Sequence, residues 1–287
     1  SQLHRSPGVF FQADAARTNY MTKVIPYRGS WVEFEMDAKN ILYVRIDRKR
    51  KFHGTVFLRA LGLSSDEDIL REFYTPTEVL LEKDHLLWGV GPGLLQRRSL
   101  KQIAGEDGKV LLRKGVKIRK ANLRRLEDAA IAYVPVAEEE FSGAVMLEPV
   151  VHPDTGELIA ETNEPVDAEK LAAIREAGIE RLVAFFPEND PVGPVLHDTM
   201  KKDTVTTPEE ALLEIYRKLR PGDPPTFDAA NKLFNSMFFD PQRYDFSRVG
   251  RLKFNTRLET NRPLEEKILH PDDFYAVVRY FLGLGQG

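Results

Sequence analysis

The pattern of apolar and polar positions is clearest near the start of the chain. Val32, Phe34 and Met36 alternate with Glu33 and Glu35, and Ile41-Leu42-Tyr43-Val44-Arg45-Ile46 follows the polar stretch Asp37-Ala38-Lys39-Asn40. A period of two predicts half-buried strands joined by a hairpin loop. Thr55 to Leu61 continues the apolar segment. Ser64-Ser65-Asp66-Glu67 then reads as a helix start, with a capping serine and acids in the first turn. That short helix places Ile69, Leu70 and Phe73 on one face. Pro187 to Pro194 reads as a Pro/Gly-rich linker. A helix is predicted over about Pro208 to Leu219, with Thr207 as its cap, proline at its first position and Glu209-Glu210 in its first turn. Three prolines and a glycine make Arg220-Pro221-Gly222-Asp223-Pro224-Pro225-Thr226 a stiff, projecting loop. Helices are expected again over about Thr226 to Phe238 and Pro271 to Leu282.

The middle of the chain carries an internal repeat. An offset of 48 residues without a gap lays Gly108 on Gly156, Val110 on Leu158, Leu111 on Ile159 and Ile118 on Val166. It also lays Leu123 on Leu171, Leu126 on Ile174, Ile131 on Ile179 and Val134 on Leu182. Each copy, 108–136 and 156–184, reads as a strand, a turn, a short strand, an amphipathic helix and a final strand. Two such units are too few for a solenoid and are expected to pack into one module.

Charge divides the chain in the same places. Residues 1–75 carry 12 basic and 9 acidic side chains, residues 76–192 carry 15 and 21, and residues 193–287 carry 14 and 14. The acidic middle suggests a separate module. Its two copies differ as well: residues 97–125 hold 11 basic and 2 acidic side chains, residues 156–181 hold 3 and 7. The expected organisation is therefore an α+β chain, a discontinuous mixed domain over 1–75 and 193–287 interrupted at 76–192 by a module of two similar strand–helix–strand units. No apolar run approaches the roughly 18 residues a membrane-spanning helix needs. The chain has no cysteine, so disulfides, thiolate zinc sites and cysteine nucleophiles are excluded, in keeping with a reducing cytoplasm. The start, SQLHRSPGVFF, lacks the pattern of a signal peptide, and without an initiator Met it reads as a piece of a longer polypeptide.

The candidate chemistry is sparse. His152-Pro153-Asp154 and His197-Asp198 are read in turn-rich loops, and no histidine has a second one four residues on, so metal or acid–base use is disfavoured at both. Gly89-Val90-Gly91-Pro92-Gly93 and the glycines from Gly283 to Gly287 lack the strand–helix context and lysine of a phosphate loop; a turn and a frayed terminus fit them better. Glu138-Glu139-Glu140 reads as a solvated loop. Trp31, after the turn Tyr27-Arg28-Gly29-Ser30, stands near the cations Arg48-Lys49-Arg50-Lys51. A ring on a loop beside cations suits a single nucleic-acid strand, the ring stacking on a base at roughly 1–3 kcal/mol. A core tryptophan beside a solvated charge run accounts for the same residues. Arg5, Arg28, Arg220 and Arg243 lie on loops or helix ends. Singly they read as carboxylate partners or caps, and together as a surface for an anionic strand. Two rivals remain open: a free-standing single-stranded nucleic-acid-binding protein, and a hydrolase using one of the two His/Asp pairs.

Five runs carry a resemblance. They are Ser1 to Phe11 (SQLHRSPGVFF), Ile25 to Trp31 (IPYRGSW), Val44 to Arg48 (VRIDR), Ile215 to Thr226 (IYRKLRPGDPPT) and Arg243 to Asn255 (RYDFSRVGRLKFN). The chain resembles the lobe, or β2 domain, of bacterial DNA-directed RNA polymerase β subunits, with residues 76–192 similar to the lineage-specific insertion of that lobe. The resemblance implies that Trp31 stacks on an unpaired non-template base at the downstream edge of the transcription bubble. It implies that Arg5 lies near the same pocket and that Arg220 contacts the non-template strand, with Arg243 carried over alongside. Arg28 and Arg48 join this set from the residue reading above. Arg220 to Thr226 matches the gate loop, which meets NusG-family elongation factors. The implied partners are the β′, α and ω subunits, sigma factor, non-template strand and downstream duplex, in a cytoplasmic, nucleoid-associated enzyme and with no membrane. The resemblance places the catalytic magnesium in β′, so this chain is expected to hold no cofactor, no metal and no catalytic residue, although the parent complex is a nucleotidyltransferase.

Overall fold

The computed structural model describes residues 6–285 of a mixed α+β chain. Two compact units form, one from Ser1–Glu72 with Pro194–Gly287, the other from Phe73–Gly193.

The first unit begins with an antiparallel meander: β1 (Gly8–Ala13), β2 (Tyr20–Ile25), β3 (Val32–Met36), β4 (Leu42–Ile46) and β5 (Phe52–His53), adjacent in that order. β3 and β4 pair in the register Val32↔Ile46, Phe34↔Val44 and Met36↔Leu42. The alternating pattern therefore sets which face is buried, and all six side chains are core residues. The apolar segment after β5 is not extended. Gly54–Leu61 forms α1, a helix buried on nearly every side. A short apolar run carries no period, so tertiary packing decides its state. Gly54 lets α1 start hard against β4: a Cβ there would lie 2.4 Å from Leu42 Cδ2. Gly62, at φ 130°, ends the helix. α2 (Asp66–Phe73) follows, its Ser65 hydroxyl accepting from Asp68 N at 3.1 Å while the Asp68 carboxylate accepts from Ser65 N.

The second unit is built on the hairpin β6 (Thr77–Leu81) and β7 (Leu86–Gly89). β8 (Ile103–Ala104), β9 (Val110–Leu112), α3 (Lys120–Asp128) and β10 (Tyr133–Val136) come next, then β11 (Val145–Met146), β12 (Val150–Val151), β13 (Leu158–Ala160), α4 (Ala168–Glu176) and β14 (Arg181–Phe185). An offset of 48 carries β9 onto β13 and α3 onto α4 end to end. It carries the left-handed turn at Gly108 (φ 78°) onto that at Gly156 (φ 74°). The sheet order β10-β7-β6-β14-β11 sets the closing strands of the two copies on opposite sides of the hairpin. Trp88, on β7, is fully buried and stacks on Phe186 at 4.7 Å. Arg97 covers both rings, its guanidinium 5.5 Å from the Trp88 centroid and 5.1 Å from that of Phe186. Burial lowers the Arg97 pKa from its ordinary value. Glu138-Glu139-Glu140 lies in a 3-10 turn rather than a solvated loop, with Glu138 paired to Arg175.

The chain returns to the first unit with α5 (Val195–Lys202), α6 (Pro208–Leu219), α7 (Phe227–Phe238), α8 (Ser247–Leu258) and α9 (Pro271–Leu284). Thr207 and Thr226 cap α6 and α7, accepting from Glu210 N at 3.1 Å and Ala229 N at 3.2 Å. α5 and α8 were not read from the sequence. α5 places His197 in a helix, buried, instead of in a loop. α9 runs through Gly283, so that glycine is helical and not part of a frayed end. The core centres on Phe57, whose ring meets Phe34, Phe234, Phe238 and Phe274 edge-on at 5.1–6.1 Å.

Candidate nucleic-acid interface

The end of the β3–β4 pair explains the position of Trp31. Trp31 precedes β3 and Asp47 follows β4, so the two stand opposite each other beyond Val32↔Ile46. Trp31 N donates to Asp47 Oδ1 at 2.9 Å, and Asp47 N donates to Trp31 O at 3.0 Å. The chain then reverses within Ile46–Lys49, closed by Lys49 N donating to Ile46 O at 3.0 Å. Asp47 (φ 51°) and Arg48 (φ 58°) are both left-handed there, a conformation that an aspartate tolerates better than most residues. This turn sets the Arg48 guanidinium over the Trp31 ring, 5.2 Å from its centroid. Trp31 is half-buried, neither a core residue nor a free flag. Arg48 is 69% exposed, with Glu33 at 3.9 Å.

The same rim collects the other candidates. Arg28 and Asp245 form a backbone bridge, Arg28 N donating to Asp245 O at 3.1 Å and Asp245 N to Arg28 O at 2.8 Å. Gly29, at φ 134°, allows this approach: a Cβ would fall 2.6 Å from the Tyr244 ring. The bridge thus ties the turn before Trp31 to the segment holding Arg243. Lys49 Nζ donates to Leu219 O at 3.0 Å, joining the turn after β4 to the C-terminal end of α6, where Arg220 is the cap. A cation suits the negative end of the helix. Arg220 and Arg243 together line a groove of about 740 Å³ with Tyr216, Lys232, Phe239 and Asp240. Arg28, Arg220 and Arg243 are exposed. Among the described residues none of the three has a carboxylate partner.

Two other arginines of this unit are structural. Arg251 is fully buried and bidentate to Asp273 at 3.0 and 3.2 Å. Arg59, also buried, donates to Asp66 and to the Ser64 carbonyl. The contrast sorts cations that the fold uses from cations left to solvent. The basic run also divides: Arg48 covers Trp31, Lys49 is tied to α6, and Lys51 lies 4.2 Å from the centre of the Tyr43 ring. It is therefore not one strip of free charge. The loop Arg220–Thr226 is exposed throughout, with Gly222 at φ 95°. Arg5 lies outside the described residues. Lys232 was not read as a site residue, although the α7 pattern places it off the apolar stripe of Ala230, Phe234 and Met237.

The histidine pairs hold no comparable geometry. His152 Nδ1 accepts from Asp154 N and Thr155 N within its own turn. Burial, and then Lys201, lowers the His197 pKa to about 4. Among the described residues no group of three or more histidines and acids could hold a metal ion. No helix among them is long and apolar enough to cross a membrane.

Comparison with known proteins shows the family. The family described as RNA polymerase Rpb2, domain 2, matches residues 5–84 and 192–287. The β subunit of DNA-directed RNA polymerase from Koribacter versatilis is 49% identical over 99% of this chain, and that of Solibacter usitatus 49% identical over all of it, in each case across 20% of the relative. The Myxococcus xanthus subunit is 39% identical over the whole chain and 22% of its own length. The chain thus spans about a fifth of the curated relatives it matches. It belongs to the RNA polymerase Rpb2 domain 2 family, the lobe of the bacterial DNA-directed RNA polymerase β subunit.

Proposed function

We propose that the first unit holds the unpaired non-template strand and the downstream duplex within the polymerase. The observation that carries this reading is the rim itself: a half-exposed ring under Arg48, to which the Arg28–Asp245 backbone bridge and the Lys49–Leu219 hydrogen bond bring three arginines that have no carboxylate partner among the described residues. Trp31 stacks on one base at the downstream edge of the bubble, and Arg28, Arg48, Arg220 and Arg243 meet phosphates, with Arg5 in the same set. Arg220–Thr226 serves as the gate loop toward NusG-family factors. The second unit is the lineage-specific insertion, a docking surface for regulators; the family match, which skips residues 85–191, supports its separate origin. The β′, α and ω subunits and sigma factor complete the assembly. The active-site magnesium sits in β′, and this chain's residues position DNA and carry no bond-making step.

The test uses whole polymerase on a preassembled scaffold with 2-aminopurine at the non-template edge position. Trp31→Ala is expected to raise the fluorescence of that base while leaving nucleotide addition largely intact. Loss of all extension, or unchanged fluorescence, contradicts the assignment.

A further inference from the structure

The internal repeat supplies its own control. The two copies place a turn, a strand and a helix at positions 48 residues apart, so a residue type that only one of them carries is not required by that shared pattern. Arg113, Lys114, Lys120, Arg124 and Arg125 stand 48 residues before Glu161, Thr162, Ala168, Ala172 and Ala173. All five basic residues are exposed, and among the described residues none has a carboxylate partner. The three basic residues of the second copy are each paired: Lys170 with Glu164, Arg175 with Glu138, and Arg181 with Glu78 and Glu148. The first copy has therefore gathered unpaired cations that neither its helix nor its strands need.

Apolar surface accompanies these cations. Val110 is 47% and Val116 44% exposed. With Leu111, Arg113, Asn122 and Arg125 they line a shallow hollow of about 340 Å³ between β9 and α3. Val116 again departs from its counterpart, which is Glu164. A nucleic-acid backbone has little use for exposed aliphatic side chains, whereas a protein segment with acids around an apolar anchor matches both features.

We infer that the face of β9 and α3 in the first copy is a docking site for an acidic polypeptide segment that carries an aliphatic anchor, the anchor seated at Val110 and Val116 and its carboxylates meeting Arg113, Lys114, Lys120, Arg124 and Arg125. The inference rests on the reading of the second unit as a docking surface and gives that surface its partner chemistry.

The test measures fluorescence anisotropy with the 287-residue chain and three probes: a labelled peptide of Glu and Leu, a polyglutamate of equal length and a labelled DNA duplex. One variant takes the second-copy residues at the five positions, Arg113→Glu, Lys114→Thr, Lys120→Ala, Arg124→Ala and Arg125→Ala, all of which the equivalent backbone already accepts. A second is Val116→Glu. The Glu/Leu peptide is expected to bind the unmodified chain more tightly than polyglutamate and to lose about tenfold or more in the five-residue variant, each exposed pair contributing a fraction of a decade. Val116→Glu weakens both acidic probes, and the Glu/Leu peptide by the larger factor, because it removes the seat of the aliphatic anchor as well as adding a negative charge. Where the five-residue variant does not fold, as judged by its thermal melt, Val116→Glu and Arg125→Ala carry the test. Equal binding by the variants overturns the inference, as does tighter binding of the duplex or no binding of the Glu/Leu peptide. The broader docking reading is tested apart, by removing Phe73–Gly193 from the full β subunit and measuring factor-dependent transcription, so the two failures are distinguishable.

Discussion

Replacing Trp31 by alanine separates stacking from charge. Arg48 lies over the Trp31 ring, 5.2 Å from its centroid, so at most the opposite face can take one base. Stacking of a single base is worth about 1–3 kcal/mol, which corresponds to roughly 5- to 150-fold in affinity for single-stranded DNA. The same change removes an exposed cation–π contact worth about 0.5–1 kcal/mol, so the thermal melt should move only slightly. Trp31→Phe keeps a ring and should keep most of the affinity. Salt supplies the internal check. Five arginines on a single strand give a slope of log affinity against log salt of about −3.5. The tryptophan is neutral, so Trp31→Ala must lower affinity at every salt concentration without changing that slope. Anisotropy titrations over a salt series, with melts in parallel, measure both. An affinity within about twofold of the unmodified chain refutes the stacking role, and a flattened slope shows that the loss came from displaced arginines.

Three further outcomes follow from the packing. Gly29→Ala drives a Cβ to within 2.6 Å of the Tyr244 ring and should cost about 1–3 kcal/mol while weakening DNA binding, because the Arg28–Asp245 bridge must shift; intact binding in a folded variant contradicts the linkage. Arg251→Met strips the buried Asp273 of its bidentate partner and should destabilise the chain by about 3 kcal/mol in urea unfolding. That lies at the low end for a broken buried pair because Arg262 stays 3.6 Å from Asp273, and a loss under about 1 kcal/mol contradicts the assignment. His197 has a folded-state pKa of about 4 against an ordinary 6.5, so the unfolded chain binds the proton first as pH falls. Its contribution is full above pH 6.5 and is lost progressively toward pH 4, by about 3 kcal/mol at most. His197→Gln should remove that part of the pH dependence, measured as unfolding free energy between pH 7 and 4.5.

What the sequence made legible was what carries a period or a cap. The alternation at Val32–Met36 and Leu42–Ile46 became a hairpin of matching register, and Thr207 and Thr226 marked the starts of α6 and α7. The largely apolar run at Thr55–Leu61 carried no clear period, and its helical state comes from burial on nearly every side. α8 was hidden because it interrupts its apolar positions with Arg251, a charge that looks solvent-directed until Asp273, 22 residues on, is brought against it. At the candidate interface the residue types were visible and their connections were not. Nothing local shows that Lys49 reaches Leu219, or that Arg28 pairs with Asp245. Lys232 was missed for the same reason: its membership in the groove depends on how α6 and α7 lie together.

The central claim is that the Trp31 rim meets the non-template strand. Photo-cross-linking tests it most directly, with p-benzoylphenylalanine at position 31 of the full β subunit in reconstituted polymerase on a scaffold whose two DNA strands carry different labels. The account predicts a cross-link to the non-template strand at the downstream edge of the bubble. A cross-link confined to the template strand, or to protein alone, would contradict it.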